Sequence, residues 1–170
     1  MNFKELNQKL GGNENKANWH QAKGGGWIHK SAKVEREELI SENAIVWGQV
    51  YGNAWVSGNA RVSGDGQVYG NAQVYGNAWV YGDAWVSGDA WVSGDAWVSG
   101  DAWVKSPLFI VGSKYSLTNA KKGHIQIGCH CETFDWWLKN GKELAKKDGF
   151  TPAQIEEYTA YVKLFAKIGK

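Results

Sequence analysis

From Val50 to Val104 a valine stands at every sixth position: Val50, Val56, Val62, Val68, Val74, Val80, Val86, Val92, Val98 and Val104. Two residues before most of them sits alanine, at Ala54, Ala60, Ala72, Ala78, Ala84, Ala90, Ala96 and Ala102; Gly66 takes that place once. Two residues after each valine through Val98 comes Gly, followed by Asn or Asp, from Gly52-Asn53 to Gly100-Asp101. The unit is therefore Ala-x-Val-[Ser/Tyr]-Gly-[Asn/Asp]. Ala and Val alternate with outward residues, which is the period of a strand. Gly followed by Asn or Asp tolerates positive φ and closes tight corners. A helix cannot carry this pattern, because a Gly in every unit would cost ~1 kcal/mol each relative to Ala. One short strand cannot bury its own valine. Stacked coils can, and each coil then pairs its backbone with the next. The pattern predicts a β-solenoid with a narrow Val and Ala core.

The same phase starts earlier. Ile28, Val34, Ile40 and Val46 are six apart, with Ala32 and Ala44 in the small position. A four-residue step from Val46 to Val50 breaks the phase near Trp47-Gly48-Gln49 and predicts a distorted coil or a shift of faces. Four to five coils are expected over residues 27–111. Residues 1–26 are polar and Gly-rich and predict a short helix or arm that covers the first coil.

Lys105-Ser106-Pro107 ends the regular repeat, with Leu108 and Ile110 continuing the inward positions. Residues 112–170 read as a small α+β cap. Tyr115–Thr118 and His124–Cys129 are predicted strands, joined by a turn at Asn119–Gly123. Thr133–Ala145 predicts a helix with Phe134, Trp137, Leu138 and Leu144 on one face. A second helix starts at Thr151 as N-cap, with Pro152 at its first position and Gln154 completing a capping box. Ile155, Tyr158, Val162 and Phe165 form its apolar stripe. A cap of this kind would stop the open solenoid end from pairing with other chains.

Composition changes this picture little. The 22 Gly and 11 Trp are repeat biases. A net charge of +2 is too mild to argue for nucleic acid. No apolar run approaches the ~20 residues of a membrane span, and the first residues lack a long apolar signal stretch. Cys129 and Cys131 are one residue apart and make no disulfide framework. These features predict a soluble cytoplasmic protein with no membrane partner, no sequence-specific nucleic acid and no cofactor.

The unit resembles the hexapeptide repeat of left-handed parallel β-helix proteins. That resemblance implies three units per triangular coil, or 18 residues, and the left hand. The whole chain resembles hexapeptide-repeat proteins of phages and prophages. The shared features are a Gly-Gly-Gly-Trp-Ile start at Gly24 to Ile28, long Gly-Asn-Ala-x-Val runs, and a small cap around Ile125-x-Ile127-Gly128-Cys129 with a final helix. The implied setting is the cytoplasm of an infected bacterium. No one function fits all such proteins.

Trp55, Trp79, Trp85, Trp91, Trp97 and Trp103 each precede a core valine and point outward. At 18 residues per coil, Trp85 and Trp103 share one face, Trp55 and Trp91 a second, and Trp79 and Trp97 a third. Stacked neighbours would lie ~4.8 Å apart. Two readings stay open: cross-coil stacking that stiffens the solenoid or a trimer contact, and a stacking platform for bases or sugar rings. Arg61 is the only basic residue between Val50 and Val104. It suits a phosphate or carboxylate, and equally a solvent contact or a salt bridge in a trimer.

Asp65, Asp83 and Asp101 fall 18 apart and would stack at one corner, where turn capping and a bound cation are the two readings. In Cys129-His130-Cys131 both sulfurs would share one side of a strand, with His130 on the other. Two further zinc ligands are not evident, so a small thiol buried in the cap core is expected.

Hexapeptide acyltransferases and γ-type carbonic anhydrases share the implied fold and use histidines on or near the coils or between subunits. The regular coils hold no His. His20, His29, His124 and His130 all lie outside them, and His29 and His130 would be the residues to test for an acyltransferase-like activity. No catalytic residue is assigned. The leading expectation is a non-catalytic binder, a homotrimer that captures a nucleotide-type ligand or a host protein in clefts between subunits, in a counter-defence role. The rivals are a rigid self-assembling scaffold and the enzyme.

Overall fold

A computed structural model describes residues 1–99, 102–103 and 107–169. The chain is mainly β: about four stacked coils, with a small helical C-terminal part. Each coil contributes short strands to three parallel faces. The first face stacks Trp27–His29, Ile45–Val46, Arg61–Val62, Trp79–Tyr81 and Trp97–Ser99. The second stacks Lys33–Val34, Gln49–Val50, Gln67–Val68, Trp85–Val86 and Ala102–Trp103. The third stacks Trp55–Val56, Gln73–Val74 and Trp91–Val92, with Ile40 bridging to Val56 below.

The alternation does what period two requires. Val56, Val62, Val68, Val74, Val80, Val86, Val92 and Val98 are fully buried, and so are Ala60, Ala72, Ala78, Ala84, Ala90 and Ala96. Methyl-sized corner residues let three strands meet around one narrow column. The corners are made by glycine for two separate reasons. Gly76 has φ +74°, and a Cβ on it would sit 2.9 Å from the backbone nitrogen of Gly94 in the coil above.

Two corners carry hydrogen-bonded side-chain ladders of one polarity. In the first, Arg36 donates to Asn53 Oδ1, Asn53 Nδ2 to Asn71 Oδ1 at 3.4 Å, and Asn71 Nδ2 to Asp89 Oδ1 at 3.2 Å. In the second, Lys9 Nζ donates to Asn59 Oδ1 at 2.9 Å. Asn59 then donates to Asn77 at 3.2 Å, and Asn77 to Asp95 at 2.9 Å. A cation at one end and a carboxylate at the other fix the direction of every amide between them.

Successive coils are in register by 18 residues, as in Arg61 with Trp79 or Gln49 with Gln67. The phase break is one short coil. Val34 pairs with Val50, Ile40 with Val56 and Val46 with Val62, each an offset of 16. Between Ile28 and Lys33, and between Val62 and Gln67, the neighbouring coils use four residues, 29–32 and 63–66. The short coil uses only Trp47 and Gly48.

The N-terminal arm does contain a helix, α1 (Phe3–Lys9), with Asn2 and Glu5 in a capping box. It does not sit on the open end alone. Its buried Leu6 joins Trp19, Trp27 and Ile45 in a small core on the outer side of the first face. Strand Trp19–Gln21 pairs antiparallel with Trp27–His29 and covers the lower edge of that face.

At the other end, Phe109–Val111, Ser116–Lys121, His124–Ile127 and His130–Thr133 form an antiparallel meander. The inward phase changes here. Phe109, not Leu108 or Ile110, packs on the solenoid core, while Leu108 and Ile110 pack into the cap core. The expected turn at Asn119–Gly123 is tighter: the strand runs to Lys121, and Gly123 (φ +72°) makes the reversal. Asn119, 1% exposed, is tolerated inside because its amide donates to the Lys121 and His124 carbonyls. Helix α2 (Phe134–Lys147) is N-capped by Thr133, and α3 (Pro152–Ile168) by Thr151 with the Gln154 capping box in place. No described helix is long and apolar enough to cross a membrane.

Candidate functional site

The two residues missing from the short coil leave a notch. At the two laddered corners each coil rests on the one below, with the Asn53 N–H bonded to the Gly70 carbonyl at 2.8 Å and the Asn59 N–H to Gly76 at 2.7 Å. The short coil instead cuts straight across, with the Trp47 and Gly48 N–H groups both bonded to the Val62 carbonyl and the Gln49 N–H to Gly66, so it does not reach out under Gly64. The corner above and the corner below are therefore two layers apart, about 9–10 Å. The resulting cleft, about 360 Å³, is lined by Ser31 from below, Trp47 at the back, and Arg61, Ser63, Gly64 and Trp79 above.

The side chains in the notch are held from outside it. Trp47 packs edge-on against Trp19, with ring centroids 4.6 Å apart. The Trp79 indole N–H donates to Ser63 Oγ at 2.7 Å. The Arg61 guanidinium lies over the Trp79 ring, 5.9 Å from its centroid. Among the described residues the side-chain ion pairs are His20 with Glu37 and Arg36 with Glu38, so Arg61 has no carboxylate partner. Helix α1 covers the outer side of Trp27 and Ile45 on this face and leaves Arg61, Trp79 and Trp97 open above it.

The tryptophans do not form one continuous ladder. Trp79 and Trp97 pair in register, edge-to-face at 5.4 Å, and Tyr81 joins them at 5.2 Å from Trp79. Trp55 and Trp91 share the third face, but Gln73 stands between them. Trp85 lies opposite Ala102 instead of Trp103, because the last strand is offset by 17, and it packs on Tyr69 at 5.9 Å. Exposure is highest at Trp91, 54%. The Trp103 side chain and Asp101 lie outside the described residues. Asp65 and Asp83 stand at an exposed corner. Among the described residues no group of three or more His, Cys, Asp or Glu is placed to hold a metal ion.

The cysteines depart from expectation. Cys129 lies in the turn after Ile127 and is exposed, so it is not a buried thiol. Cys131 is half-buried on the last cap strand, and burial pushes its thiol pKa up. His20 bonds Glu37 at 3.0 Å, His29 Nδ1 bonds Ser31 Oγ at 2.7 Å, and His124 Nδ1 bonds the Lys122 carbonyl. His130 lies edge-on to Trp137 in the cap, at the other end of the chain from His29. Sequence reasoning missed Trp47, Ser31, Ser63 and Gly64. The four-residue step at Val46–Val50 was the signal that pointed to them.

Fold and repeat together define a β-solenoid repeat protein. The repeat is similar to the YdcK beta-solenoid repeat family, which matches residues 49–64, 54–70, 66–82 and 72–88. No curated protein and no solved structure matches the chain.

Proposed function

We propose that the protein is a binder that captures an aromatic anion of nucleotide type in the notch. The observation that carries this is Arg61, with no carboxylate partner among the described residues, lining a cleft of ligand size together with Trp47 and Trp79. A guanidinium takes a phosphate in a forked pair of charged hydrogen bonds. The indoles offer faces for a base, and stacking of this kind contributes ~1–3 kcal/mol per base. Ser31, Ser63 and the Gly64 carbonyl supply donors and acceptors for ring edges or ribose. The resemblance to phage and prophage hexapeptide-repeat proteins sets this capture in counter-defence, as removal of a nucleotide-type host signal by a homotrimer.

Calorimetric titration with mono-, di- and cyclic nucleotides tests the reading. A nucleotide bound by the wild type should lose at least tenfold in affinity with Arg61→Ala and with Trp47→Ala. Unchanged binding in a folded Arg61→Ala variant would sink the assignment.

A scaffold is the second reading, and the exposed Trp91 on the third face favours it. Concentration-dependent growth in light scattering, lost with Trp91→Ser, would select it.

A further inference from the structure

The cap holds a second cavity that the notch does not use. It occupies about 280 Å³ between α2, α3 and the turn after Ile127. Its walls are apolar: Ile127, Trp137, Leu144, Phe150, Ile155 and Val162. Two helices this close normally fill such space with their own side chains. Here the large rings are tied back. The Trp137 indole N–H donates to the Ile125 carbonyl at 2.9 Å. The Tyr158 hydroxyl donates to the Tyr115 carbonyl and accepts the Lys114 N–H at 3.0 Å. Phe150 packs on Tyr158 at 5.0 Å and lies under the Lys114 ammonium, 4.5 Å from its ring centroid. None of the three can swing inward without losing those partners, so the space is preorganised.

The mouth carries one charge of each sign, Lys142 and Asp148. Leu138, at 45% exposure, stands there with Lys142 and Cys129. The second half of α2 and the residue after it carry Lys142, Lys146 and Lys147 against Glu143 and Asp148; of these Lys142, Asp148 and no other charged residue line the cavity. We propose that this cavity binds a small amphiphile, an unbranched apolar chain buried among the ring walls with an anionic head at Lys142. This site is independent of the notch.

The probes are linear carboxylates from hexanoate to decanoate, with decanol as the uncharged control, titrated into the full chain by calorimetry. Affinity should rise about fourfold per added methylene until the cavity is full. Methyl shifts in NMR should centre on Ile127, Leu144, Ile155 and Val162. Ala145→Phe, on the cavity wall, should weaken decanoate at least tenfold. Lys142→Glu, on the exposed rim, should weaken decanoate about tenfold and leave decanol unchanged, and it keeps the test alive if Ala145→Phe does not fold. Arg61→Ala should change neither ligand. The proposal is overturned by affinity independent of chain length, by unchanged decanoate binding in a folded Ala145→Phe, or by equal effects of Lys142→Glu on decanoate and decanol.

Discussion

A Cβ added to Gly48 would sit 2.4 Å from the carbonyl oxygen of Gly66 in the coil above. That contact marks the place where two residues are absent from one corner, and the notch opens beside it. Glycine at 48 lets the backbones approach where the normal corner is missing, while a Cβ at Gly66 would meet the Ser63 and Val80 carbonyl oxygens at 2.9 and 3.3 Å.

Gly48→Ala should therefore destabilise the chain by about 1–3 kcal/mol, the range for forcing extra atoms into packed structure. Gly123→Ala is the contrast. Among the described residues nothing lies within 4 Å of its Cβ, but φ is +72°, so the ~1–2 kcal/mol left-handed cost applies. Urea melts of both variants, with nucleotide titrations alongside, check this. Only Gly48→Ala should also disturb the notch.

The ladders predict an effect of opposite sign at the third corner. Asp65 and Asp83 share that corner as two carboxylates with no amide between them, whereas Asn59, Asn77 and Asp95 pass hydrogen bonds upward. Asp65→Asn supplies the missing donor and removes a like charge. It should stabilise the fold by about 0.5 kcal/mol at pH 7 and low salt, and by less at 1 M salt. Asn77→Asp should do the reverse, by placing a carboxylate next to Asp95. Thermal melts at pH 7, in low salt and in 1 M salt, decide both signs.

Leu6 is fully buried although α1 lies outside the solenoid column. Leu6→Ala should cost about 2–4 kcal/mol in docking of the arm. It should expose Trp27 and so shift tryptophan emission to the red, while the circular-dichroism signal of the coils stays intact. Loss of the coil signal together with the arm would show that the arm is needed for the solenoid to fold.

The two thiols should react at different rates. Cys129 is exposed, and iodoacetamide at pH 8 should label it first. Burial raises the Cys131 pKa, so less of it is thiolate at pH 8 and it should lag. Its neutral form is the one favoured by folding. The associated stability is present below the unfolded thiol value of ~8.5 and is lost as pH rises through the raised folded value. Equal labelling rates in the native protein, as in urea, would remove this account.

The sequence by itself determined the coils, their core and their corners. Valine at period six, alanine two residues before it, and Gly with Asn or Asp after it leave one packing solution, because each requirement is local and repeats. It also determined α3, whose Thr151, Pro152 and Gln154 signals act within one turn. The tertiary structure decided what faces what. The 17-residue offset that sets Trp85 opposite Ala102 arises where the regular repeat ends and the cap begins. The Phe109 phase depends on the cap sheet that pulls Leu108 and Ile110 the other way. The notch needed three coils at once: a gap of two residues is visible in the chain as a four-residue step, but only stacking turns it into a space between Ser31 and Gly64 with Arg61 at its edge.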